Sequence, residues 1–129
     1  MPQKISRFLP VVLWMVLIYV VSSIPELPSN DIDVVDFIFK KTAHFLEYSI
    51  LFILWYRAIG EKNPTKAIIF SLIYAFTDEI HQLLVPGRTG RLRDVGIDAL
   101  GIITTSILIV KLNLWKPLLS PLHSKKPGK

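Results

Sequence analysis

The 129-residue chain contains no cysteine, so disulfides are excluded and the sequence carries no mark of its redox compartment. Charge is also sparse. Charged residues make up 19% of the chain and hydrophobic residues 51%, with a mean hydropathy of +0.46. A soluble domain of this length needs more polar surface than that to cover its core. Acidic residues are the scarcer sign, 10 against 15 lysines and arginines, for a formal net charge of +5. In so apolar a chain the basic excess reports membrane orientation, and a nucleic-acid partner is not expected. Internal repeats and low-complexity segments are missing, apart from a basic tail, Ser124-Lys125-Lys126-Pro127-Gly128-Lys129. So are the familiar catalytic fingerprints: no His-Glu-x-x-His, no Walker loop and no Gly-x-Ser-x-Gly elbow. No serine stands at a recognisable spacing from a histidine, so the sequence identifies no covalent nucleophile.

What is there is a set of long apolar runs. They fall at about residues 8–24, 42–59, 67–85 and 94–112, followed by a tail over 113–129. Each has about 17–20 residues, close to the ~20 that carry a helix across ~30 Å of hydrocarbon. Backbone polar groups find no water there, so the runs are expected to be helices. Pro25 and Pro28, then Gly60 and Pro64, then Pro86-Gly87 separate them. The expected fold is therefore all-α, a single-domain integral membrane bundle of four transmembrane helices. A signal peptide is the other reading of the first run. Its length and the lack of an Ala-x-Ala-like site after it favour a span.

With both termini in the cytoplasm, Lys4, Arg7, Arg57, Lys62, Lys66, Lys111, Lys116 and the tail lysines face inward. The first outer loop then holds Glu26, Asp31, Asp33 and Asp36 against Lys40 and Lys41, in keeping with the positive-inside rule. The loop with Arg88, Arg91 and Arg93 breaks that rule. Two explanations stay open: attraction to anionic lipid head groups, or recognition of an anionic ligand by guanidinium forks.

The intramembrane polar residues gather at one depth. His44 and Glu47 lie ~5–9 Å below the start of the second span, at 1.5 Å per residue. Asp78, Glu79, His81 and Gln82 lie within ~5–10 Å of the end of the third, and Asp94 and Asp98 open the fourth. At 100° per residue, His44 shares a face with Glu47 and Tyr48, while Asp78, His81 and Gln82 share another with Glu79 at its edge. Asp94, Asp98, Gly101 and Thr105 form a third stripe, on which Gly101 would admit a neighbouring helix closely. An ionised side chain at mid-membrane costs about 2.5–3.5 kcal/mol on insertion scales. Such a cluster either fastens the helices or forms a site, with Lys40, Lys41 and Arg88 available as counter-charges. As a site it suits general acid–base work. Asp78-x-x-His81 and His44-x-x-Glu47 also leave a divalent metal open, although neither repeats the Glu-x-x-His pattern of di-metal bundles. No cofactor is otherwise expected.

The stretches "KTAHFLEYSILF", "TDEIHQLLVPGR" and "RDVGIDALG" resemble the signature blocks of the VanZ-like family of bacterial membrane proteins. Lys41, His44 and Tyr48 fit the first block. Asp78, Glu79, His81, Gln82, Pro86, Gly87 and Arg88 fit the second, and Asp94 and Gly101 the third. The resemblance covers about residues 40–101. Asp98 departs from it, since the family often has asparagine there. The founding member is associated with resistance to teicoplanin-type glycopeptide antibiotics. The resemblance therefore implies an envelope role in the bacterial cytoplasmic membrane and supplies no reaction.

These readings lead to one expectation and its rival. The expectation is an outer-face pocket for an anionic envelope lipid or lipid-linked cell-wall precursor, drawn from Lys41, His44, Glu47, Tyr48, Asp78, Glu79, His81, Gln82, Arg88, Arg91, Asp94 and Asp98. Arg88, with Arg91 or Arg93, would hold phosphate, and Asp94 would orient Arg88 or Arg91. The rival is a membrane-embedded hydrolase or transferase for a lipid-linked phosphate or ester, with Asp78, Glu79, His81 and His44 as its acids and bases. A proton-coupled carrier fits less well, because its polar residues should extend across the membrane.

Overall fold

The computed structural model describes residues 3–26, 33–88 and 90–113. Four α-helices run in chain order: α1 (Gln3–Ser22), α2 (Val34–Ile59), α3 (Pro64–Leu83) and α4 (Leu92–Ser106). A π-helical turn, Ile107–Lys111, continues α4. The described residues contain no strand, so the fold is the all-α bundle the hydropathy implied. The basic tail from residue 114 onward lies outside the described residues.

The boundaries differ from the apolar runs most at α2. Hydropathy starts that run at residue 42, yet the helix begins at Val34, two turns earlier. Asp33 caps it by accepting a hydrogen bond from the Val35 amide at 2.9 Å. Asp36, Lys40 and Lys41 hide those turns from a hydropathy scan while doing nothing to unwind them. At the other end Gly60 takes φ = 100° and its amide reaches back to Arg57 O, a left-handed helix stop. Pro64 then opens α3 at its first position, where no amide is needed.

α2 and α4 run parallel, and their seam is the closest in the bundle. Lys41 meets Asp94, His44 meets Asp98, and the Ser49 hydroxyl reaches Gly101 O at 3.2 Å, three rungs in step along both helices. Gly101 is buried, and a Cβ built on it would overlap the Phe45 carbonyl and sit 3.1 Å from Ser49 Oγ. The small residue is what lets the helices approach. α3 packs beside this pair through Ala67, Ser71 and Ala75, spaced one turn apart and all buried. α1 lies against α2 and α3, fixed by Trp14 Nε1 donating to Glu47 O (2.9 Å) and the Tyr74 hydroxyl donating to Met15 O (2.5 Å). Tyr48, Phe52, Leu51, Ile102, Val11 and Ile18 fill the core.

Polarity is partly inverted between inside and outside. Asp78, Glu79, Asp94 and Asp98 are buried, Asp98 to 1% exposure, while Leu13, Val16, Val20, Phe70, Ile73, Phe76 and Ile80 face outward. Among the described residues α1 is the helix that is long and apolar enough to cross a membrane, over Ile5–Ser22. Acids, histidines and lysines lower the hydropathy of α2 and α3, and α4 is short, at 15 residues.

Candidate functional site

A cavity of about 320 Å³ opens where α1 ends, α2 and α4 begin and α3 ends. Helix periodicity sets its main wall: Lys40, Lys41, His44 and Glu47 fall on one face of α2, and all four line the cavity. Val21, Ser22 and Glu26 contribute from α1 and its exit, Gln82 from α3, Asp94 from α4, and Arg88 and Arg91 from the connection between α3 and α4. Phe37, Phe39 and Ala43 complete the α2 side.

The cations of this cavity are not equivalent. The Lys41 ammonium donates to the Asp94 carboxylate. Lys40 bridges Asp36 at 2.8 Å and Glu26 at 3.3 Å. The hydrogen bond that Lys40 donates to Asp36 is the main cause of a Lys40 pKa above the usual lysine value, with Glu26 adding to it against a desolvation cost. Arg88 behaves differently. Its Nε donates to Ile24 O (2.9 Å) and its Nη2 to Val21 O (3.2 Å). These are carbonyls at the C-terminal end of α1, where helical partners run out; Val21 O also accepts from the Ile24 amide (3.2 Å). Among the described residues neither Arg88 nor Arg91 has a carboxylate within 4.0 Å. The lysines are therefore held in close ion pairs and the arginines are not, with Glu47 acting on Arg88 from beyond contact distance.

The Pro86-Gly87 turn explains how Arg88 reaches α1. Gly87 takes φ = +78°, and a Cβ there would run into the backbone carbonyl of Glu26. Only glycine fits both the left-handed conformation and the contact. The turn lies directly on the α1 exit, and the next residue can span to the helix end.

Below the cavity the carboxylates are committed to partners. His44 Nδ1 lies 3.1 Å from Asp98 Oδ1. Asp78 Oδ2 accepts from the Tyr48 hydroxyl (3.1 Å) and from Gln82 Nε2 (3.0 Å). Glu79 Oε1 accepts from the Arg91 backbone amide. The second oxygens of these two acids, Asp78 Oδ1 and Glu79 Oε2, are buried with no partner among the described residues.

Of the residues expected to form the pocket, Lys41, His44, Glu47, Gln82, Arg88, Arg91 and Asp94 line the cavity. Asp98 sits behind His44, and Tyr48 and Asp78 sit behind Gln82. Glu79 is turned toward the start of α4. His81 is placed elsewhere: its Nε2 is 2.8 Å from Ser23 Oγ, and its ring stacks on Tyr19 at 4.5 Å. It belongs to the α1–α3 seam, so Asp78 and His81 do not form one pair of ligands despite their one-turn spacing. Among the described residues no three His, Asp or Glu side chains converge in a way that could hold a metal ion. Asp94 serves Lys41 and not an arginine, because α2 begins early enough to place Lys41 opposite it. Arg93 is exposed and outside the cavity lining. The contributions of Glu26, Phe37 and Phe39 were not foreseen. The acidic cap at Asp33 was the available sign that α2 starts upstream of its apolar run.

No curated protein and no solved structure matches the chain at significance. The VanZ/LLP1 family matches residues 3–115. The match runs from the start of α1 past the π-helical turn and takes in every residue of the cavity, and the chain belongs to the VanZ/LLP1 family.

Proposed function

We propose that all four helices span the bacterial cytoplasmic membrane, with both termini in the cytoplasm, and that the cavity at the outer end holds the anionic head group of an envelope lipid or lipid-linked precursor. The observation that carries this reading is the uneven neutralisation of charge. Two arginines without a carboxylate partner wall a cavity of about 320 Å³, at the lower end of the ~300–1,000 Å³ range of small-ligand sites. Val21, Phe37 and Phe39 give the same cavity an apolar side for the beginning of an acyl or prenyl chain. Inward-facing acids and outward-facing aliphatics support burial of the whole bundle in hydrocarbon. Lysines and arginines at the opposite end, including Arg57, Lys62 and Lys66, support the orientation. A protein holding a cell-wall precursor at the outer face would stand where glycopeptide antibiotics act, which is the route by which a resistance role would arise.

Calorimetric titration of dodecylphosphonate into the protein in a nonionic detergent tests the reading. Binding should saturate and weaken with salt. Arg91→Gln should weaken it about tenfold, the equivalent of about 1.4 kcal/mol. Arg88→Lys should also weaken it, since lysine keeps the charge but not the fork held on the α1 carbonyls. Equal binding by both variants and the parent would rule the arginines out as the anion seat.

A further inference from the structure

The chemistry of the cavity floor goes a step beyond holding a ligand. His44 lines the cavity, and behind it stands Asp98, the most buried carboxylate in the bundle at 1% exposure. Their contact is through Nδ1, at 3.1 Å. A carboxylate accepts and cannot donate, so Nδ1 carries the proton, and in the neutral imidazole Nε2 keeps its lone pair. Nε2 has no partner among the described residues. The ring is held on both sides of its chain position: Lys41, one turn before it, pairs with Asp94, and Gly101 locks the same seam one turn beyond Asp98. An imidazole with a fixed tautomer and a free nitrogen at a cavity wall is arranged as a general base. Neither of the two arginines in the same wall has a carboxylate within 4.0 Å among the described residues, and Glu47 acts on Arg88 only from farther off.

We infer that this site hydrolyses a phosphodiester of an anionic amphiphile, with His44 as the catalytic base and Asp98 as its positioning residue. The inference rests on the anion-seat reading above. Arg88 and Arg91 hold the phosphodiester oxygens. A water attacks phosphorus, and its proton passes to His44 Nε2 as the new O–P bond forms. The P–O bond to the alcohol breaks on the far side of phosphorus, the departing oxygen takes a proton from solvent, and the imidazolium releases its own to solvent. One phosphomonoester and one alcohol result, with water the single co-reactant and no change of oxidation state. Asp98 holds the tautomer and balances the transient imidazolium. The pair escapes sequence reading because 54 residues separate its members.

The test uses the full-length protein in nonionic detergent with two probes. Dodecyl para-nitrophenyl phosphate reports turnover by release of nitrophenolate, and dodecylphosphonate, whose P–C bond resists hydrolysis, reports binding. The expected result is turnover by the parent protein, lowered at least about a hundredfold by His44→Gln. Asp98→Asn should lower kcat by a similar factor and leave KM and the phosphonate Kd within about threefold, a split that mere loosening of the fold would not give. Melting curves of both variants identify unfolding, and the parent's own turnover needs no variant. Phosphonate binding without nitrophenolate release by the parent would overturn the hydrolytic inference and leave the anion seat standing. No phosphonate binding at all would overturn both.

Discussion

Gly101 offers the sharpest test of the packing, because a second glycine in the same helix serves as its control. Gly96 and Gly101 both lie inside α4. A Cβ added at Gly96 meets nothing within 4 Å, whereas one added at Gly101 overlaps the backbone carbonyl of Phe45. Replacing either with alanine gains the same helix propensity, about 1 kcal/mol. Only Gly101→Ala must also push α2 and α4 apart. A backbone atom cannot rotate away like a side chain, so the cost should fall in the ~1–3 kcal/mol range of overpacked cores. Subtracting one variant from the other cancels propensity and leaves that steric cost. At roughly 3–6 °C per kcal/mol for a domain of this size, Gly101→Ala should melt about 5–15 °C below Gly96→Ala in detergent. Gly101→Leu should fall further. The same seam carries the Lys41–Asp94 and His44–Asp98 contacts, so phosphonate binding should weaken along with stability. Equal melting temperatures for the two alanine variants would mean that the helices do not meet at Gly101, and the three-rung seam would be wrong.

Two further outcomes follow from the geometry. Single cysteines at Asn63 and Arg93, labelled in intact cells with an impermeant maleimide, should react at Arg93 and stay silent at Asn63; the opposite pattern would invert the proposed orientation. Asp78→Asn should leave melting within about 1 kcal/mol of the parent, since an amide oxygen can still accept from Tyr48 and Gln82 and an uncharged amide costs less to bury than a carboxylate. Asp78 lies outside the cavity lining, so dodecylphosphonate affinity should also hold, and a marked loss would return the α3 acids to the binding set.

Much of the helical plan was legible because helices impose a 100° period on any residue that must face inward. The stripe Asp94, Asp98, Gly101 and Thr105 is buried as a unit, and Gly101 stands at a helix crossing as its position implied. The common level of His44, Asp78 and Asp94 likewise follows from counting residues along alternating helices. Pairing was not legible. Charge and spacing made Arg88 an obvious partner for Asp94, yet Lys41 takes that place and Arg88 turns to the carbonyls of α1. The choice depends on where α2 begins, which a capping aspartate sets and a hydropathy scan overlooks. His81 shows the same limit. Periodicity put it on one face with Asp78 and Gln82, but Asp78 meets Tyr48 of α2 while His81 meets Ser23 and Tyr19 at the end of α1. Periodicity tells which side of a helix is polar and leaves open which neighbour lies there.

The proposed seat of an anionic head group lies between the α1 exit, the first turns of α2 and the two arginines. Photocrosslinking tests it most directly. The protein would be reconstituted in phosphatidylcholine bilayers with a small fraction of phosphatidic acid carrying a diazirine close to the phosphate, irradiated, and digested for mass spectrometry. Adducts should concentrate on the cavity residues Val21, Phe37, Phe39 and His44, fall in Arg91→Gln and be absent with a phosphatidylcholine carrying the same diazirine. Adducts spread over outward-facing positions such as Leu13, Val16 and Ile73, in equal measure for the anionic and the zwitterionic lipid, would contradict it.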